Sequence, residues 1–221
     1  MSATVPTSPK AHGTRTAKEN QSGIVTAIFP ATFGENGDVT TDFYHRYPKD
    51  ISLMAKLGIR HFRMSIAWTR IIPDGTGAVN PMGIAFYHRV LDELNKYGIE
   101  PMVTIYMWDL PQKLQDIGGW GNRLTADAYD AYAKLLFREY GNKVKTWVTF
   151  DEPFCGAFIG NYLGTYAPGL RDFNRTTRQL PHAVGAWPRR QSLPRDASEC
   201  ENRYRAQSFR LQACFRSSGR Y

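Results

Sequence analysis

An α/β fold of parallel strands, with a barrel preferred over a doubly wound sheet, is predicted by three features of this chain. The first is a recurring unit of helix, glycine, two or three residues, strand and long loop. Its helix-stopping glycines, Gly58, Gly98 and Gly141, are spaced by 40 and 43 residues, and its strands end at Trp68, Trp108 and Glu152, spaced by 40 and 44. Parallel neighbours need a connection of roughly a dozen residues or more, and a right-handed helical crossover supplies it. The second is an asymmetry: long polar and aromatic loops follow the strand C-termini, while the helix-to-strand links are very short. That is the plan of a barrel with its site on one face. The third is the lack of any G-x-G-x-x-G or G-x-x-x-x-G-K-S/T after a strand, which leaves the nucleotide-binding use of a doubly wound sheet without support.

Residues 1–28 are read as a disordered leader, rich in Ser, Thr, Lys and Gly and without periodicity, although GIVTAIF (23–29) at its end could form a short strand. PATFGENGDVTTD (30–42) is turn chemistry, with Gly34, Asn36 and Gly37 suited to positive φ. A first helix is expected from about Tyr44 or Pro48 to Leu57, with Ile51, Met54 and Ala55 on one face and Gly58 as its stop. The strand IRHFRMSIAW (59–68) follows, then a polar loop, TRIIPDGTGAVN. The second helix takes Asn80 as N-cap, Pro81 as its first residue, Ile84, Tyr87, Leu91 and Leu94 as its apolar stripe, and Gly98 as its stop. EPMVTIYMW (100–108) is the next strand and DLPQKLQDIGGWGNR its loop. A third helix, capped by Thr125, turns Tyr129, Tyr132, Leu136 and Tyr140 inward and ends at Gly141.

The last strand lies in KTWVTFDEPF (145–154), where an alternating apolar pattern runs into two carboxylates and a proline. Strict alternation puts Trp147, Thr149 and Asp151 on one face and Val148, Phe150 and Glu152 on the other. Ionised carboxylates are costly to desolvate and Pro153 offers no N–H to a ladder, so the strand stops there and the acids sit at its C-terminal rim. A carboxyl group half-buried at such a rim can hold its proton toward neutrality and donate it. Glu152 is therefore the best catalytic candidate. The same pair also fits a plain strand end that caps the next helix.

The formal charge of +8 is confined to one end. Residues 171–221 hold eleven Arg, no Lys and four acids, a net of +7, against +1 for residues 1–170. This Arg-rich, irregular tail (171–221) is read as a replaced or misread C-terminus. Binding of nucleic acid or an anionic surface is the alternative, and a nucleic-acid partner is not expected. Cys155, Cys200 and Cys214 form no C-x-x-C, and no His-rich spacing suggests zinc, so no metal is expected. Sparse cysteines, no apolar leader and no run of eighteen apolar residues give a cytoplasmic protein with no membrane partner as the expectation.

The strand ends bring together Arg63, Trp68, Tyr106, Trp108, Asp109, Asp151 and Glu152. Aromatic walls with carboxylates and an arginine suit a sugar, whose rings stack on indoles and whose hydroxyls want charged partners. FRMSIAWTRIIPDGTG, WDLPQKLQDIGGWGNR and WVTFDEPF followed by GTYAPG resemble the family 1 glycoside hydrolases, the β-glucosidase family, over roughly residues 35–170.

The resemblance implies a (β/α)₈ TIM barrel, of which residues 29–170 are the N-terminal part, about three to four βα units. It implies retaining hydrolysis of β-linked O-glycosides, without metal or cofactor, by an acid/base carboxyl and a nucleophilic one about 5 Å apart. Glu152 sits where the family has its acid/base, in a motif usually read T-F-N-E-P. Arg63 matches the arginine that orients the nucleophile, Trp108 a tryptophan lining the sugar subsite, and Tyr106 and Asp151 stand beside them as substrate-binding positions. Asp151 replaces the family's asparagine, and Met107 stands in place of a sugar-contacting histidine. No T-E-N-G motif, the family's nucleophile strand, occurs in the chain. Asp109 resembles a structural loop acid and is a poor substitute for it. An incomplete or inactive fragment of a hydrolase is thus expected, with a non-catalytic carbohydrate- or partner-binding relative as the alternative.

Overall fold

The computed structural model describes residues 41–153, 158–164 and 167–172. The leader, the strand expected at 23–29 and the tail beyond residue 172 lie outside the described residues.

The elements run in the order α1 (Phe43–Lys56), β1 (His61–Ser65), α2 (Trp68–Ile71), α3 (Pro81–Lys96), β2 (Glu100–Tyr106), α4 (Gln112–Asp116), a 3₁₀ turn (Gly119–Gly121), α5 (Arg123–Tyr140), β3 (Thr146–Phe150) and a π-helical turn (Phe158–Leu163). The strands form one parallel sheet in the order β1-β2-β3. Met64 pairs with Val103 and Val103 with Trp147, so these three share a face. It is the helix side, since the Trp147 ring meets that of Phe137 on α5 with centroids 5.0 Å apart. Arg63, Met102 and Thr104 alternate onto the opposite side, the inner face of a barrel. This is the N-terminal part of a (β/α)₈ barrel.

Local chemistry explains most boundaries. Asn80 caps α3 by accepting from the Met82 N–H at 3.1 Å, with Pro81 at the first helical position, as expected. Phe86 and Val90 join Tyr87, Leu91 and Leu94 in the buried stripe, while Ile84 is only partly covered. Gly58 and Gly98 follow their helices at φ 75° and 65°, a conformation in which a side chain is strained. Gly141 differs: at φ −60° it continues the right-handed turn, and its helix stops without a left-handed residue.

Several expectations need correction. α1 begins at Phe43 and carries Pro48 in its interior, where proline ordinarily costs about 3 kcal/mol. The turn before it is held by rings, with Tyr44 stacked on Phe86 at 4.4 Å and Tyr47 edge-on to Phe86 at 5.7 Å. α5 is capped by Asn122, which accepts from the Leu124 N–H at 3.0 Å, and not by Thr125, which is buried inside the first turn. The first two strands stop short of their tryptophans. Trp68 opens α2, and Thr69, Arg70, Ile71 and Ile72 are all buried, so the stretch after β1 is a packed corner instead of a polar loop. The loop after β2 likewise folds into α4 and the 3₁₀ turn.

The core lies between sheet and helices. Tyr129, Tyr132, Leu136 and Tyr140 of α5 turn inward as expected, and all four are fully buried. Tyr129 Oη donates to Thr149 O of the strand that follows its own helix at 2.9 Å, while Tyr132 Oη donates to Ile66 O at 2.9 Å and Tyr140 Oη to Ile84 O at 3.1 Å, carbonyls of the two preceding units. A buried phenol needs such a partner, and here the need also binds the units together. Among the described residues, no helix is long and apolar enough to cross a membrane.

Candidate active site

The candidate site begins where β3 ends. Alternation stops at Phe150, and the next residue bends inward: the Asp151 carboxylate pairs with Arg63 on the inner face, not on the Trp147 face that strict alternation predicts. Arg63 is oriented by a second bond, from Nε to Thr104 Oγ1 at 3.1 Å. Asp151 is held at three points. Its N–H donates to Tyr106 O at 3.0 Å, its carbonyl accepts from Trp108 Nε1 at 2.8 Å, and its carboxylate meets Arg63. The Asp151 side chain is 14% exposed and that of Arg63 48%, so the pair stands at a solvent boundary.

Glu152 follows with φ 40°, in the left-handed region, and its side chain is exposed. The half-buried position expected of it is not what the structure shows, because the bend at Asp151 lifts Glu152 off the sheet. A non-glycine residue in this conformation persists only where its surroundings impose it. Trp108, at the same rim of β2, is the second such case, at φ 66°. Two strained residues at adjacent strand ends are the kind of backbone found at functional sites.

Asp109 ties the rim together. Its carboxylate accepts from the Trp68 N–H at 2.9 Å and the Met107 N–H at 3.2 Å, bridging the ends of β1 and β2. Burial pushes its carboxyl up to about 7, although those backbone N–H bonds and the nearby Arg70 charge pull the other way. The sequence groups Asp109 with the strand-end residues and gives it the look of a structural loop acid. Its spacing one residue beyond Trp108 carried no signal of a bond to Trp68.

Tyr106 lies deeper than a sugar-contacting position requires. It is buried, with its ring edge-on to Trp120 at 5.1 Å and to Phe150 at 5.6 Å. Trp68 is also core, stacked on Tyr132 at 4.8 Å and 3°. The rings therefore form the floor under the rim, and Arg63, Trp108, Asp151 and Glu152 form its open edge. Met107 is exposed beside them. Among the described residues, no group of three or more His, Cys, Asp or Glu could hold a metal ion.

Parallel strands wrapped by helices, with carboxylates, an arginine and a tryptophan gathered at the C-terminal rim, define the class: a (β/α)₈ barrel, present here in part, with its candidate site at the strand ends. The chain belongs to glycosyl hydrolase family 1, whose model matches residues 25–190. It is 46% identical over 156 residues to beta-glucosidase A of Thermotoga maritima, covering 71% of this chain and 35% of that protein. Beta-glucosidase A of Acetivibrio thermocellus is 46% identical over 149 residues, covering 67% and 33%. Among solved structures, the family 1 β-glucosidase of T. maritima in complex with isofagomine lactam superposes with a TM-score of 0.74 at 42% identity, covering 75% of this chain and 38% of the other. The chain thus spans about a third of the length of the curated relatives it matches.

Proposed function

We propose that this rim is the acid/base half of a retaining β-glucosidase-type site, with Glu152 as general acid/base and β-linked O-glycosides as the substrate class. The observation that carries the reading is the placement of Glu152, exposed at the rim and turned out of the strand beside a three-point anchored Asp151, in a chain of this family. In the first step Glu152 protonates the leaving oxygen; in the second it takes a proton from water. Trp108 walls the sugar position, and Arg63 and Asp151 line it. Tyr106, buried against Trp120 and Phe150, supplies the carbonyl that anchors the Asp151 N–H. The sparse cysteines suit a cytoplasmic setting.

Retention needs a second carboxyl about 5 Å from the first. Asp151 does not supply it, because it is neighbour to Glu152 in the chain and already paired with Arg63. With no T-E-N-G motif in the chain, a binding relative is the second reading. The two separate on exposure of the full chain to a 2-fluoro β-glucoside with an activated leaving group, followed by intact mass. One added fluoroglycosyl mass marks a working hydrolase and requires a nucleophilic carboxyl other than Glu152 and Asp151. An unlabelled chain that still binds a glucoside-like inhibitor is a binder, and one that does neither overturns both readings.

A further inference from the structure

We propose that Asp109 is a positioning residue for Glu152, acting through Trp108. Its catalytic meaning rests on Glu152 being the proton donor; the geometry stands apart from that reading. Trp108 is bracketed in the chain by Met107 and Asp109, and the Asp109 carboxylate closes over it. Oδ1 accepts from the Met107 N–H at 3.2 Å, and Oδ2 reaches across to the Trp68 N–H at 2.9 Å. That clasp fixes the backbone of Trp108 at φ 66°, where a bulky residue would otherwise relax to negative φ. From this strained position the indole Nε1 donates to Asp151 O at 2.8 Å. The accepting carbonyl belongs to the peptide that joins Asp151 to Glu152, and Glu152 is itself held at φ 40°.

One hydrogen bond thus links the two left-handed residues at the rims of β2 and β3, and the Trp68 N–H anchors the link to the corner after β1. A shift of the Asp109 carboxylate is passed to the Trp108 backbone, then to the peptide that sets the direction of Glu152. Trp108 has a positioning function in this arrangement beyond that of a sugar wall.

The test is nitrogen-15 NMR on the full chain. Asp109→Asn replaces one acceptor oxygen with an NH₂ group facing a backbone N–H, so one side of the clasp is lost. The Trp108 indole N–H signal, assigned by its disappearance in Trp108→Phe, is expected to exchange with solvent about tenfold faster in Asp109→Asn. The Glu152 amide signal should shift in the same variant, while the Trp120 and Trp147 indole signals stay in place. Trp108→Phe, which keeps an aromatic ring and removes the N–H, should shift the Glu152 amide on its own, and the double variant should shift it no further. An unchanged Trp108 indole and Glu152 amide in Asp109→Asn overturns the proposal, as does movement of all the indole signals together. Trp108→Phe decides the link to Glu152 even if Asp109→Asn does not fold: an unmoved Glu152 amide there also overturns it. The readout needs no turnover, so a chain that hydrolyses nothing counts against the proposed function and leaves this arrangement standing.

Discussion

Asp109 shows what a single residue can carry that its position in the sequence does not announce. Its carboxyl is raised to about 7 from an ordinary 3.8. Between those values the folded chain holds a proton that the unfolded chain has released, so this group's contribution to stability falls as pH rises through the window. Ionised Asp109 is the destabilising form. Relative to Asp109→Asn, the natural chain should therefore gain melting temperature on going from about pH 8 to about pH 5. Thermal melts of both proteins across that range check this, and parallel curves would remove Asp109 as the source. The residues beside it were legible to different degrees. Glu152 and Asp151 stood out because a strand pattern ended in two acids and a proline. The face of Asp151 departs from strict alternation because the regular strand ends at Phe150, whose ring already packs on Tyr129 of α5 at 4.7 Å, the side that Trp147 also faces. The bond between Arg63 and Asp151 joins residues 88 apart, and no local pattern encodes such a contact.

Elements were readable where their boundaries are set by neighbouring residues and unreadable where distant groups set them. Asn80-Pro81 announces α3 because the cap acts two residues away. Nothing comparable announces α2. Its leading N–H groups are satisfied from afar, Ala67 N by Tyr87 Oη at 2.8 Å and Trp68 N by Asp109. The corner is then pressed against α3. The Arg70 guanidinium lies 4.8 Å from the Phe86 ring, 5.1 Å from Tyr44 and 5.6 Å from Tyr87, while Asn80 Nδ2 donates to Arg70 O at 3.0 Å. Gly83 makes the approach possible. A Cβ there would stand 1.9 Å from the Arg70 carbonyl oxygen, a backbone atom with no rotamer to escape into. Gly83→Ala is thus expected to lose about 2–3 kcal/mol, toward the upper end for overpacking, despite alanine's better helix propensity. Urea unfolding measures it; a neutral or stabilising result would mean that α3 is free to move away from the corner.

At the scale of the whole molecule, the repeat of glycine stops and strand ends was enough to give parallel order, because each crossover is a local event of about forty residues. Closure is another matter, since the strands that meet across a barrel are remote in sequence and leave no periodic trace. The consequence is visible in the sheet. Among the described residues β2 is paired on both sides, while β1 and β3 each pair on one side only. The inner face is open in part: Met102 is 38% exposed beside Arg63, its register partner, while Thr104 further along the same face is buried. An apolar residue half exposed on that inner face gives a surface suited to association with another sheet. The full chain should therefore show a weight-average mass that rises with concentration in sedimentation. Met102→Lys, which puts a charge on that inner face without touching the helix side, should lower the association while changing stability by no more than about 0.5 kcal/mol. A mass that stays constant over about a hundredfold in concentration would mean that the inner face is covered in solution, and that this part of the barrel is closed by contacts lying outside the described residues.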